Sequence, residues 1–561
     1  MEYVIFAVAV VLFIIVIMIK GYIDYRNELK KFKEKRYKDY GIIPQREYKP
    51  EQFANIAKYF QKHKDGFFID DITWNDLNMD EVFKSMNDTY SAAGEEYLYY
   101  MLRTPSFDKQ ELMRKEEIIS FFRTHADERV TCQLLFKKLG RTGKFSIYDY
   151  LDYLDGLGER SNLKHYLALV MVLAAIGFMF FNLPMGLLLL VLVLVINILS
   201  YFIIKSEIDP YITSFSYIFK LLDMSAELTK VKIPVLKEEL DELKSTAKKF
   251  SGFKRGSYLL MSSGRMSASG NPIEIVLDYM RMAWHLDLIQ FNHMLSEVRK
   301  HISEIDIMLT LVGKIEAMIS IGAFREGNPE HCIPSFGQEK KLVAEGIYHP
   351  LLREPVKNGI DTQKSVLITG SNASGKSTFL KTVALNQILA QTINTCMAAS
   401  YETTFFRVCS SMALRDDIQG GDSYYMVEIK ALKRIMDELK TPGVPVFCFV
   451  DEVLRGTNTV ERIAASVQIL QSLCMGNCLC FAATHDIELT HLLEKEYNNY
   501  HFEEQIEDND ITFSYKIMHG RAQSRNAIRL LGIMGYEENL IQKAEEMAAA
   551  FIRTGNWGEN A

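Results

Sequence analysis

From Leu167 to Ile204 the chain runs for 38 residues without a charged side chain. A helix rises about 1.5 Å per residue and the hydrocarbon core of a bilayer is about 30 Å thick, so this stretch can cross it twice. Asn182-Leu183-Pro184-Met185-Gly186 interrupts it with turn-forming residues, which predicts a transmembrane helical hairpin rather than a hairpin buried in a soluble core. A second run, Tyr3 to Ile19, has 17 uncharged residues, enough to cross most of the core if Lys20 snorkels. It lacks the basic start and the A-x-A site of a cleaved signal peptide. Between Lys20 and Pro50 there are ten Lys/Arg against five Asp/Glu, whereas only Glu2 precedes the first run. The positive-inside rule therefore predicts three spans in a plasma membrane, with the N-terminus outside and every soluble domain cytoplasmic.

The second constraint lies in the C-terminal part. Gly370-Ser371-Asn372-Ala373-Ser374-Gly375-Lys376-Ser377-Thr378 fits G-x-x-x-x-G-K-[ST], behind a predicted strand, Ser365 to Thr369, and ahead of a predicted helix, Thr378 to Thr392. Glycines let backbone N–H groups curl around phosphate, and the helix N-terminus adds its positive dipole end. Lys376 is placed to reach the β- and γ-phosphates of ATP, and the Ser377 hydroxyl to hold magnesium. Further on, the apolar run Val446 to Val450 reads as a strand buried on both faces, ending in Asp451-Glu452. There Asp451 can orient the metal ion, and Glu452 can take a proton from the attacking water. Another apolar strand, Leu479 to Ala483, leads into Thr484-His485-Asp486 and puts His485 where a γ-phosphate sensor would stand.

These segments, with Gly421-Asp422-Ser423-Tyr424-Tyr425-Met426-Val427-Glu428, Arg455-Gly456-Thr457-Asn458-Thr459, Tyr348-His349-Pro350-Leu351-Leu352 and Gly520-Arg521-Ala522-Gln523-Ser524, resemble the ATPase domain of the MutS family of DNA mismatch repair proteins over about residues 346 to 551. The resemblance implies an ABC-type, magnesium-dependent ATPase acting as a homodimer with composite sites. Gly370, Ser371, Asn372, Ala373, Ser374, Gly375, Lys376, Ser377 and Thr378 would cradle the nucleotide, Ser377 and Asp451 would hold magnesium, and Glu452, His485 and Lys376 would act in catalysis, all from one subunit. Ser423 would reach the γ-phosphate bound by the other. Two departures stand in the loop: family members usually have Met-Gly in place of Ala373-Ser374, and Pro in place of Ser371. They alter loop stiffness and leave the phosphate-binding groups in place. Val356 lies near the expected adenine contact but has no aromatic ring.

Upstream, Trp74-Asn75-Asp76-Leu77, Asn87-Asp88-Thr89, Gly94-Glu95-Glu96-Tyr97-Leu98 and Leu102-Arg103-Thr104-Pro105 resemble the start of the family's helical core, and Leu309 to Phe324 resembles the helix returning from its lever. The family's mismatch-reading domain has no room before Trp74, and its DNA clamp is absent or much reduced. Phe32-Lys33-Glu34 spells F-x-E, but within a charged linker. The expected organisation is a transmembrane helix at 1–20, a basic juxtamembrane linker at 21–50, a helical core at 51–163, the membrane hairpin at 164–206, a second part of the core and lever at 207–345, and an α/β ATPase domain with C-terminal dimerisation helices at 346–561.

A length of 561 allows two or three domains, and 48% hydrophobic with 24% charged residues describes a globular chain. A net charge of -7 gives no global attraction to nucleic acid. Eight cysteines without a disulfide-like pattern suit a reducing compartment, and the close set Cys474, Cys478 and Cys480 reads as core packing rather than zinc ligation. From Lys244 to Arg265 there are six Lys/Arg and no acid, interleaved with Phe250, Phe253 and Tyr258. This segment fits DNA phosphates, anionic headgroups or a solvated loop equally well. Three functions remain open: a membrane-tethered MutS-like ATPase coupled to DNA or another partner, a transporter-like ATPase coupled to its own helices, and a membrane scaffold gated by ATP. Three spans, none with an ionisable residue, form a small translocation unit, and an intact Glu452 and His485 argue against a dead ATPase.

Overall fold

The computed structural model describes residues 2–143, 145–253, 280, 282–371, 374–412, 424–454, 457–507, 510–522, 528, 531 and 535–554. They form two compact units. One comprises 1–64, 86–100 and 116–327, and the other 65–85, 101–115 and 328–561.

The first unit is helical. Its centre is the helix Ile302–Gly327, whose residues from Ile315 to Arg325 are all buried. The helix Ala92–Arg103 crosses it at close range: a Cβ at Gly313 would stand 2.5 Å from the Ala93 carbonyl oxygen, and one at Gly94 2.1 Å from Oε2 of Glu316. That contact orders an acid in the core. The Glu316 carboxylate accepts from the backbone N–H of Ser91 at 3.2 Å and from the Ser91 hydroxyl. Burial raises its pKa to about 7, because a charged carboxylate loses its water there.

The helix Glu2–Lys38 is continuous, so residues 21–38, expected as a linker, are helical. Phe32, which the F-x-E spelling singled out, makes an edge contact with Tyr90 at 5.3 Å and serves packing. The apolar stretch forms the helices Leu163–Met179 and Leu183–Leu228, the second 46 residues long. Asn182 caps the second helix by accepting from the Met185 N–H at 3.2 Å, and Pro184 lies in its first turn. A Cβ at Gly186 would stand 2.7 Å from Cα of Met179, so glycine sets the closeness of the turn.

Among the described residues two helices, not the expected three, are long and apolar enough to cross a membrane: Leu183–Ile208 and Ile302–Gly327. The second is 83% buried and is the core helix; the first is 17% buried and presents its apolar side chains outward. Leu163–Met179 has 17 residues, about 26 Å, slightly short of the hydrocarbon thickness. Tyr3 to Ile19 lies within Glu2–Lys38, and most of its side chains fall outside the described residues.

The second unit carries two sheets. The strands are β1 (Ser335–Phe336), β2 (Leu342–Ile347), β3 (Asn358–Thr362), β4 (Ser365–Thr369), β5 (Ser400–Thr403), β6 (Arg407–Ser411), β7 (Val446–Asp451), β8 (Cys478–Ala483), β9 (Tyr497–Glu507) and β10 (Asp510–His519). A small sheet has the order β1-β5-β2-β3, and a six-stranded sheet the order β10-β9-β4-β8-β7-β6. In the larger sheet every pairing from β9 to β6 is parallel, and only β10 runs antiparallel. The wholly buried strands β4 and β8 and nearly wholly buried β7 match the strands read from sequence, and β6, equally buried, was not among them. Cys448, Cys478 and Cys480 are buried in this sheet, with Cys448 Sγ 3.5 Å from Cys478 Sγ.

The short helix Asp71–Asp76 belongs to this unit and covers its β6 edge. Asp76 accepts from the Ser410 hydroxyl at 2.6 Å and the Met412 N–H at 2.9 Å, and Thr73 accepts from the Ser410 N–H at 3.1 Å. Backbone donors that an open edge would expose are thereby satisfied. Trp74, read as the start of the helical core, packs here under the Arg103 guanidinium, 4.1 Å from its ring centroid.

Candidate functional site

Three loops leave the same carboxyl edge of neighbouring strands β4, β8 and β7, the position where open parallel sheets bind ligands. The loop after β4 holds the phosphate-loop residues. Gly370 has φ +146 and Gly375 φ +107, both disfavoured for any residue with a Cβ. At Gly370 that Cβ would also stand 2.8 Å from the Phe502 carbonyl oxygen and 2.9 Å from Ser374 Oγ. Ser374 donates to the Ser371 carbonyl at 2.8 Å, which closes the loop. Gly375 is the N-cap of the helix Lys376–Ile393, so Ser377 and Thr378 lie in its first turn. Asn372, Ala373 and Ser423 lie outside the described residues, as do Arg455, Gly456, Gln523 and Ser524.

The Lys376 ammonium is buried and donates to the carbonyls of Gly370 at 2.8 Å and Ser371 at 2.7 Å. It thus sits within the loop whose anion it would hold. His485, leaving β8, brings Nε2 to 2.8 Å from Glu452 Oε1 and 3.4 Å from Lys376 Nζ. One ring nitrogen cannot donate to a carboxylate and accept from an ammonium at once. The shorter distance assigns an Nε2–H donor to Glu452. Glu452 has φ +59, an uncommon conformation for a residue with a side chain, and its N–H bonds to the Ala483 carbonyl at 2.9 Å. The backbone at the end of β7 is thereby turned so that Asp451 and Glu452 occupy different places. Asp451 keeps a buried Oδ1 with no hydrogen-bond partner among the described residues. A buried carboxylate oxygen without a donor is costly, and a bound cation offsets that cost, so the group fits a magnesium ligand.

Three supporting contacts escaped the sequence reading. Glu428, buried in the helix Tyr424–Glu438, accepts from the Leu454 N–H through Oε1 and so holds the loop that follows Glu452. Arg462, one turn into the helix Thr459–Met475, grips Asp486 with two bonds of 3.0 and 2.6 Å and fixes the residue after His485. Asn458 caps that helix, accepting from Val460 and Glu461 N–H at 3.0 and 3.2 Å. An Arg and an Asp 24 residues apart leave no periodic signal by which sequence alone pairs them.

Beside the phosphate loop lies a cavity of about 360 Å³ whose lining includes Tyr348, His349, Val356, Phe379, Phe502 and Tyr515. The Tyr515 ring would be only 3.2 Å from a Cβ on Gly375, and Tyr515 itself has φ +51. Burial lowers the His349 pKa to about 4, so this imidazole is neutral at physiological pH. Val356, which the resemblance sets near the expected adenine contact, lines this cavity together with Tyr515 of β10.

The family model described as MutS domain V matches residues 366–552, a span that takes in all three loops. Residues 366–552 are homologous to MutS domain V. Similar proteins include the DNA mismatch repair protein MutS of Pseudothermotoga lettingae, 29% identical over 262 residues, covering 45% of this chain and 31% of that protein. That of Thermotoga maritima is 29% identical over 269 residues, covering 46% and 33%. That of Thermus thermophilus is 26% identical over 261 residues, covering 46% and 30%. The chain thus spans about a third of the length of the curated relatives it matches. The domain V segment contains β7, β8 and β4 from its second residue, with every described member of the phosphate, metal and histidine set.

Proposed function

We propose that this protein is a membrane-anchored, MutS-type ATPase that hydrolyses ATP at composite sites of a homodimer and couples turnover to DNA or another cytoplasmic partner. The observation that carries the reading is the convergence of Lys376, Glu452 and His485 beside a buried Asp451 oxygen that has no donor among the described residues. In this reading Gly370 to Thr378 cradle the phosphates, and Lys376 exchanges its two carbonyl partners for β- and γ-phosphate oxygens. Ser377 and Asp451 hold magnesium, which draws electron density from the phosphate oxygens and neutralises the charge that develops there. Glu452 takes the proton of the attacking water, and His485, already on Glu452, orients that carboxylate and reports on the γ-phosphate. Ser423 of the partner subunit completes the site. The adenine enters the cavity beside Gly375 and lies against Tyr515.

The outward-facing apolar hairpin and the apolar start of Glu2–Lys38 anchor the chain, with the N-terminus outside and residues 346–561 in the cytoplasm as the ATPase domain. The helical parts of 51–163 and 207–345, which end at Gly327, act as core and lever.

The deciding experiment is magnesium-dependent ATP hydrolysis by full-length protein in nanodiscs, with homoduplex, mismatched, branched and no DNA over a salt series. Hydrolysis that DNA stimulates, and that loses this response steeply as salt rises, supports the proposal. Absence of hydrolysis refutes the ATPase reading; hydrolysis indifferent to every DNA at low salt removes DNA as the partner.

A further inference from the structure

Glu95 and Glu96 take no part in the ATP chemistry, yet they line a cavity of about 240 Å³ in the helical unit, with Arg46, Tyr48, Gln52 and Arg141 among its other walls. A water molecule takes about 30 Å³ of liquid, so the space holds roughly eight, more than a bare tetrahedral oxyanion fills. Arg141 and Glu47 are exposed, and the cavity is open to solvent on their side.

The wall is built on Asn87, which is buried. Its amide donates to the Tyr48 hydroxyl at 2.8 Å and to Glu95 Oε1 at 2.7 Å, and its Oδ1 accepts from the Thr89 hydroxyl at 2.6 Å and the Thr89 N–H at 3.2 Å. Thr89 is thereby held with its carbonyl oxygen between two guanidinium groups. Arg46 Nη2 donates to that oxygen, and so does Arg141 Nη2, at 3.0 Å. Two like charges drawn onto one neutral acceptor repel each other.

Only one of the two charges is answered. Arg141 pairs with Glu95, Nε to Oε2 at 3.0 Å and Nη2 to Oε1 at 3.4 Å. Arg46 has no ion pair among the described residues, and its Nη1 is buried with no hydrogen-bond partner among them. The neighbouring acids are otherwise engaged. Asp88 is held by Arg36 at 3.3 Å, and Glu95 already serves Asn87 and Arg141. Glu96 accepts from the Ser146 hydroxyl at 2.8 Å, and burial pushes its carboxyl well above the ordinary carboxylate range, toward the neutral form.

We propose that this cavity binds a small phosphate ester, with Arg46 Nη1 and the Arg141 guanidinium on its phosphoryl oxygens and the remaining space holding the esterified group. A carboxylate has two oxygens, which one guanidinium fork fills. A phosphoryl group has three terminal oxygens and can take donors from both forks at once. Arg46 stands in the segment between the helices Glu2–Lys38 and Pro50–Ile56, and Arg141 follows the helix Ala126–Leu139, so the ligand joins the chain after the N-terminal helix to the helical core.

The test is calorimetric titration of detergent-solubilised full-length protein with inorganic phosphate, glycerol 3-phosphate, a nucleoside monophosphate and acetate. It is made on Lys376→Ala, whose phosphate loop has lost its cation, and on the double variant that adds Arg46→Gln. At least one phosphate compound should bind Lys376→Ala at millimolar concentration or below, and at least about tenfold more weakly once Arg46 is removed, because a charge-assisted bond is lost. Preference for glycerol 3-phosphate points to a lipid-type headgroup, preference for the nucleotide to a nucleotide, and equal affinities to free phosphate. No binding, equal binding by both variants, or acetate bound as tightly as phosphate overturns the proposal. Hydrogen exchange of the unsubstituted protein guards against a folding defect in the variants: the ligand should slow amides 45–48 and 141–143, and slowing confined to 370–378 overturns the proposal as well. The cavity lies outside residues 366–552 and neither readout depends on ATP hydrolysis, so failure here is distinct from failure of the ATPase reading.

Discussion

Asp451→Asn should move the nucleotide-free and nucleotide-bound proteins in opposite directions. In the structure Oδ1 of Asp451 is buried without a donor among the described residues, and the Glu452 carboxylate follows directly in sequence. Leaving a buried acceptor unsatisfied costs about 1–3 kcal/mol. Removing the negative charge should recover part of that, so the nucleotide-free variant is expected to be about 1–2 kcal/mol more stable. At roughly 2–4 °C per kcal/mol for a domain of this size, its C-terminal unit should unfold about 2–8 °C higher. Ligand binding works the other way. Saturation at a hundred times Kd stabilises a protein by about 2.7 kcal/mol, and a variant that cannot hold magnesium through Asp451 should lose most of that increment. The assay is thermal unfolding of the detergent-solubilised full-length protein with EDTA, with magnesium alone, and with magnesium and ATP. A nucleotide-free variant less stable than the parent, or one that keeps the full magnesium-ATP shift, would refute the assignment of this oxygen to a metal.

Glu452→Gln should keep nucleotide affinity within about threefold while hydrolysis falls by roughly 10²-fold or more; a filter-binding assay beside phosphate release separates the two, and unchanged turnover removes the general-base role. Tyr515→Ala should weaken ATP binding by about 1–2 kcal/mol, roughly tenfold, through loss of a stacking face, whereas Tyr515→Phe should not; titration of a fluorescent ATP analogue reads both. Glu316 has a pKa raised from 4.5 to about 7, so its contribution to stability is complete below pH 4.5 and is lost as pH rises through about 7. The shift corresponds to roughly 3 kcal/mol, and Glu316→Gln should flatten that part of the pH dependence of urea unfolding between pH 5 and 8; a parallel loss in the variant would contradict the buried-acid account. An epitope tag at residue 1 should be reachable from outside intact cells and one at residue 561 should not.

The chemistry of the candidate site was legible because it depends on contiguous residues. Gly370 and Gly375 are needed for their positive φ, Lys376 for its charge next to them, and the runs before Asp451 and His485 are apolar because a central parallel strand is covered on both faces. What could not be read were relations between distant residues. Tyr515 reaches the phosphate loop from β10, Arg462 fixes Asp486 from another helix, and Glu428 braces the turn after Glu452; each pairing is set by strand order, which no local pattern encodes. Burial was equally illegible. Hydropathy measures composition, and both Ile302–Gly327 and Leu183–Ile208 pass it, yet the one is 83% buried and the other 17%.

By itself, then, the sequence determined a phosphate loop with its acidic and histidine partners and an uncharged hairpin too long for a water-exposed turn, because backbone freedom, charge and the cost of solvating apolar surface act residue by residue. Only the tertiary structure decided which helix is core, which aromatic ring borders the phosphate loop, that the segment at 71–76 covers the edge of the ATPase sheet, and that Arg46, Thr89, Glu95 and Arg141 meet. Those outcomes depend on which surfaces exclude water from one another, and that is a property of the packed chain.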